Sequence, residues 1–156
     1  NSNNVIIESD SIQLTFPETD FGQSAVIENG ISVFPNPSVS NRHAPLFTLI
    51  QDRATKQRFE NSNSGFFFQI PIHDTDLQNS ISVSITIFDV LGNTVAADTE
   101  LNLIPGRALI FSGVRLYWNG CNTQGRKVGP GVYKAMIVCR TDRSCKIFFT
   151  DVGVKW

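Results

Sequence analysis

The stretch "ISVSITIF" constrains the fold of this chain more than any other. Ile81, Val83, Ile85 and Ile87 alternate with Ser82, Ser84 and Thr86, which gives an extended chain one apolar and one polar face. Wound as a helix, the same residues would scatter their apolar side chains around the axis. Further runs rich in Ile, Val, Phe and Thr read as strands: "SIQLTF" (11–16), "LFTLIQ" (46–51), "GFFFQIPI" (65–72), "ALIFSGVRLYW" (108–118), "VYKAMIVC" (132–139) and "CKIFFTD" (145–151). Turn chemistry separates them, in "FPNPS", "VLGNT", "IPGR", "WNGC" and "GPG". No long run carries the 3.6-residue repeat of a helix. Short strands with regular turns predict an all-β protein, an antiparallel β-sandwich of about seven to nine strands with no substantial helix.

With 156 residues the chain suffices for one domain with a real core. The sandwich is expected over 31–156, and 1–30 reads as an N-terminal extension, an extra hairpin or the tail of a preceding domain. "VIENGISVF" holds Asn29-Gly30 between apolar flanks, a strong hairpin signal. The polar stretch 38–64 is the expected long excursion. The opening "NSNNVII", with no initiator Met and no signal peptide, reads as the start of a C-terminal piece of something longer. Thirteen basic against 14 acidic residues give a net charge of -1, so nucleic acid and anionic membranes are not expected partners. No apolar run approaches the roughly 20 residues of a transmembrane helix.

Of the three cysteines, Cys139 and Cys145 flank the polar turn "RTDRS". A hairpin with 139 opposite 145 sets Ile137 against Ile147 and Ala135 against Phe149. That face stays apolar, while Lys134, Arg140 and Lys146 fall on the other. This register predicts a disulfide between Cys139 and Cys145, which would favour an oxidising compartment. The alternative is two reduced, small apolar residues at a sheet edge. Cys121 has no assigned role.

"YWNGCNTQGRKVGPGVYK" carries Gly120, Gly125, Gly129 and Gly131. It nearly matches a phosphate-binding loop, yet Arg126 stands where Lys belongs, Val128 follows Lys127, and "VGPGVY" cannot open the helix such a loop needs. Residues 117–139 hold no Asp or Glu, which argues against calcium. His43 and His73 are the only histidines; "HDTD" (73–76) reads as a solvated connection before it reads as a metal or acid–base cluster. Tyr117, Trp118 and Trp156 are candidates for a sugar platform, but alternation sends Tyr117 and Trp118 to opposite faces and one must be core. Trp118, sharing a face with Leu116, is assigned to the core. No spacing of carboxylates, histidines or nucleophiles marks a catalytic set, and no cofactor is expected.

Four motifs in order then resemble a known family: Pro35-Asn36-Pro37 in "ISVFPNPS", Asp89 with Gly92 in "SITIFDVLGNTV", Trp118-Asn119-Gly120 with Gly125, and Gly131-Val132-Tyr133 before the closing "CKIFFTDVGVK". Over residues 31 to 155 the chain is similar to the C-terminal immunoglobulin-like domains of secreted proteins in Bacteroidetes, Fibrobacteres and related bacteria. These include the sorting domains of the type IX secretion system and the similar domain of the flagellar hook-capping protein. Asn119 stands where such domains usually have Asp, the segment between "FPNPS" and "ISVSITIF" is longer, and the cysteines are atypical. The resemblance implies an immunoglobulin-like, non-catalytic module at the end of a secreted or outer-surface bacterial protein. Its partners would be upstream domains of the same polypeptide and the outer-membrane secretion machinery. A carbohydrate-binding or adhesive sandwich, attached to a polysaccharide-degrading enzyme and binding a surface glycan, is the alternative.

Overall fold

The computed structural model describes residues 12–15, 24–28, 31–35, 40, 43–72 and 76–155. Ten strands and two short helices follow one another along them: β1 (Ile12–Thr15), β2 (Ser24–Glu28), β3 (Ser32–Pro35), β4 (Phe47–Leu49), α1 (Arg53–Asn61), β5 (Phe66–Pro71), β6 (Ile81–Phe88), β7 (Thr94–Leu103), α2 (Ala108–Phe111), β8 (Gly113–Trp118), β9 (Gly131–Arg140) and β10 (Cys145–Val154). One sheet has the order β3-β5-β8-β4, and the other runs β1-β2-β10-β9-β6-β7. The chain is a β-sandwich. Its β3-β5-β8 and β7-β6-β9-β10 arrangements are the A-B-E and C′-C-F-G layers of an immunoglobulin-like fold. β4 lies beside β8 where strand D belongs, although it precedes β5 in sequence. β1 and β2 pair antiparallel with each other, and β2 runs parallel to residues 145–148 of β10.

The alternation in "ISVSITIF" is realised residue for residue. Ile81, Val83, Ile85 and Ile87 are buried and Ser82, Ser84, Thr86 and Phe88 are not. They pack with Phe66, Phe68, Ile70, Leu116, Trp118, Ala135, Ile137 and Phe148 between the sheets. Removing a buried aliphatic chain of this kind from water contributes about 1.5–3 kcal/mol, so this layer is the main source of stability.

A second cluster lies outside the sandwich. Tyr117 and Phe67 point away from the central core and are covered by Ile50 and by Phe59 of α1. The Tyr117 ring centroid lies 4.5 Å from that of Phe59 and 5.2 Å from that of Phe67. Its hydroxyl is 3.1 Å from Ser64 Oγ. Gly65 runs beneath this ring with φ 78°, and a Cβ there would overlap the Trp118 carbonyl and the Tyr117 hydroxyl. Only glycine fits. Asp52 caps α1 by accepting a 2.7 Å hydrogen bond from the Thr55 N–H, and Lys56 pairs with Glu60 at 2.8 Å. Arg115 of β8 donates to Gln69 (2.8 Å) and lies over the Phe111 ring.

Four expectations are corrected here. Asn29 and Gly30 lie outside the described residues, but their flanks do not form a hairpin, because β2 and β3 belong to different sheets. Residues 108–111 are a helical turn, and β8 begins only at Gly113. The polar excursion contains α1, whose single buried side chain, Phe59, leaves no apolar stripe to read.

The fourth correction concerns the final hairpin. Cys139 lies opposite Lys146, Ile137 opposite Phe148 and Ala135 opposite Thr150, one residue away from the expected register. The loop is 141–144, closed by the Thr141 N–H bonding Ser144 O at 2.9 Å, with Thr141 Oγ1 accepting from the N–H groups of Arg143 and Ser144. A slip of one residue turns every side chain of a strand over. Phe148, Val152 and Val154 therefore face the core, and Lys146 faces inward as well. Cys139 and Cys145 stand on opposite faces of the sheet, and all three cysteines are free and buried. The bridge is not formed.

Candidate functional site

The residues that carried the family resemblance are turn and corner residues. Asp89 follows β6 directly, and its Oδ1 accepts from the N–H groups of Leu91 and Asn93, both at 2.9 Å. Its own N–H donates to Asn93 O, and Gly92 N–H donates to Asp89 O. Gly92 sits at φ 89°, the left-handed conformation this turn needs. The hydrogen bond from the Asn93 backbone, before any other cause, holds the Asp89 carboxyl below its ordinary value.

The same turn recurs after Trp118. Asn122 Oδ1 accepts from Gln124 and Arg126 N–H at 3.0 Å each. Asn122 N–H donates to Arg126 O, and Gly125 N–H to Asn122 O; Gly125 has φ 80°. "DVLGN" and "NTQGR" thus build one five-residue turn twice, from an Asx residue followed three positions later by glycine. The second turn is fastened to the edge strand β7, because Thr123 N–H and Oγ1 both donate to Val95 O (3.1 and 3.3 Å).

Trp118 is fully buried, as expected. Its Nε1–H donates to Cys121 O at 2.9 Å, and its ring stacks on Phe66 (centroids 5.2 Å) and meets Tyr133 edge-on. Asn119 ties the corner down: its amide donates to Ala44 O, and its Oδ1 accepts from Cys121 N–H. Gly120 has φ 82°, and its carbonyl accepts from Val128 N–H. Tyr133 donates its hydroxyl to Gly129 O at 2.7 Å. Gly131 opens β9. Pro35 closes β3, an edge strand where a missing N–H is tolerated. Asn36 and Pro37 lie outside the described residues.

Tyr117 and Trp118 are both 0% exposed, so neither offers a face to a sugar; Trp156 lies outside the described residues. His73 is outside them too. His43 lies with Arg58, Phe59 and Ser62 around a shallow hollow beside α1. Asp76 of "HDTD" is buried and paired with Lys146. Among the described residues no group of three His, Cys, Asp or Glu side chains could hold a metal, and no helix is long and apolar enough to cross a membrane.

A surface concavity of about 440 Å³ lies on the outer face where β6 ends, β9 begins and the second half of β10 passes, and its walls include Phe88, Val132, Tyr133 and Phe149. The row across its floor is Phe88, Lys134, Asp151, with Lys134 Nζ 3.1 Å from Asp151 Oδ1. Val90 and Val132 of its lining and the adjacent Leu91 are 85%, 61% and 82% exposed. Apolar side chains so exposed in one place mark a surface suited to contact with another molecule. Val90 and Leu91 occupy the middle of the Asp89 turn and Val132 follows Gly131, so two of the motifs also build this surface. Sequence reading missed it because an apolar residue at a turn position has no periodicity to betray it. No protein-family model matches this chain, and no curated protein matches it significantly.

Proposed function

We propose that this domain is a non-catalytic C-terminal module of a secreted or cell-surface bacterial protein, sorting or anchoring its cargo through type IX secretion. The observation that supports this reading most is the use of the motif residues. Asp89, Gly92, Trp118, Asn119, Gly120, Gly125 and Tyr133 all have their polar groups or conformations committed to turns and corners, which is work a transported scaffold requires. The exposed Val90, Leu91 and Val132 supply a contact surface for the machinery. The carbohydrate-binding alternative loses Tyr117 and Trp118 as exposed aromatics, since both are buried.

The test is export. The whole chain, fused behind a signal peptide and a reporter, is expected to bring the reporter to the surface or medium of a host with type IX secretion and to leave it in the periplasm of a host lacking the translocon. Deleting β10 is expected to abolish export. Equal export from both hosts, or none from either with the domain folded, rejects the reading.

A further inference from the structure

β10 has a neighbour on both sides for less than half of its length. β9 follows it through all ten residues, Cys145 to Val154, without a register shift. On the other side β2 accompanies only 145–148, and β3, the next strand of the chain, belongs to the other sheet. Along 149–154 no strand among the described residues continues the ladder. Alternate residues of an antiparallel strand turn their N–H and C=O groups away from the paired neighbour, so this stretch presents an open edge. Such edges are ordinarily blunted by proline or by a bulge. Residues 149–154 contain no proline, and their pairing with β9 is regular. At about 3.3 Å per residue the stretch is roughly 20 Å long, room for a strand of about five or six residues.

The concavity described above borders this edge and shares Phe149 and Asp151 with it. Val152 and Val154 face the core, so alternation turns Phe149, Asp151 and Gly153 outward. The lining carries two carboxylates, Asp89 and Asp151, against one ammonium, Lys134. The Asp151 side chain is 65% exposed. The charge of Asp89 reaches across the concavity, since after burial it is the cause that raises the Tyr133 hydroxyl.

We propose that an extended strand of a partner protein adds to β10 along 149–154, with a Lys or Arg beside Asp151 and apolar residues two positions to either side. Main-chain hydrogen bonds to the open edge supply affinity, and the alternate side chains select the sequence. The basic residue meets the net negative charge, and its apolar neighbours meet Phe149 and the space that Gly153 leaves. A second copy of this chain fits less well. In the registers of greatest overlap, antiparallel self-pairing of this edge sets the two Asp151 carboxylates opposite or diagonal to each other, where like charges repel. Strand addition names how the contact surface proposed above is used; it rests on that reading of the surface and not on the export route.

The test is titration of the purified whole chain with the end-blocked peptide Thr-Val-Thr-Arg-Thr-Val-Thr, followed in amide NMR spectra. Saturable binding is expected at peptide concentrations up to about 1 mM, with shifts centred on 149–154 and Val132. Replacing the peptide's Arg by Glu should weaken binding about fivefold, and methylating all its backbone nitrogens should abolish it. Asp151→Lys, at an exposed position, should reverse the preference between the two peptides. The peptide variants act on the parent chain, so the comparison holds even where Asp151→Lys fails to fold. No saturable shift, equal binding of the Arg and Glu peptides, or undiminished binding of the methylated one overturns the proposal. Shifts of 149–154 that follow protein concentration without peptide give the edge to a second copy and overturn it as well. Binding is read on the purified chain, so its failure and a failure of export are distinguishable.

Discussion

Truncating Trp118 tests the account of the corner on which the sandwich is built. Trp118→Ala removes a side chain with no exposure, its stacking on Phe66 and its edge contact with Tyr133. Truncations of buried aromatics to alanine cost about 3–5 kcal/mol. The Cys121 carbonyl also loses its donor, and an orphaned buried acceptor costs about 1–3 kcal/mol. Partial collapse of the site lowers the sum, so about 5 kcal/mol is expected, a large share of the 5–15 kcal/mol that holds a domain folded. Trp118→Phe keeps the stacking and loses the hydrogen bond and some volume, for roughly 2 kcal/mol. Urea unfolding followed by far-UV circular dichroism measures both, since the signal does not depend on the indole removed. If Trp118→Ala shifts stability by under about 1 kcal/mol at unchanged m-value, the residue does not organise the core as described.

Thiol chemistry tests the hairpin register. Burial raises Cys139 to about 12 and Cys145 to about 11, so at neutral pH both are protonated and shielded, and Cys121 is buried as well. A thiol reagent should find no reactive cysteine in the folded protein and three after denaturation without reductant; finding one there would mean a bridge exists. The acid limb of stability tests the Asp89 turn. Folding depresses its carboxyl below 3.8, so its contribution is present above that value and is lost as pH falls through the folded value. Asp89→Asn should fold well, since Asn122 makes the same turn with an amide, and should flatten the fall in urea midpoint at acid pH. An unchanged acid slope would show that the carboxylate is not held as described.

The sheets were largely legible because their signal is local. The Ile81–Ile87 alternation names its own buried face, and Leu116 with Trp118 does the same on β8. The final hairpin was misread because the first half of β10 is apolar on both faces, with Cys145, Ile147 and Phe149 on one and Phe148 on the other. The second half decides the register: Val152 and Val154 alternate with Asp151 and Gly153, and only one parity keeps the aspartate out of the core. α1 escaped notice because a helix anchored by Phe59 alone has no stripe, although Asp52 is a residue type favoured at helix N-caps. The repeated turn was readable in principle, since "DVLGN" and "NTQGR" share Asx and Gly three positions apart. The exposed Val90–Leu91 lacked any periodicity to mark it, and the Lys146–Asp76 pair was not readable because it depends on which distant segments the topology brings together.

The fastening of Thr123 to Val95 bears on how this domain behaves in a crowd of its own copies. β7 is the outermost strand of its sheet, and an open strand edge is a template on which identical chains can stack into fibres. Here the second turn blocks the rail near its start, the pairing with β6 breaks register at two places, and Asp98 and Glu100 put like charges farther along. The domain is in this way kept from polymerising through the β7 edge.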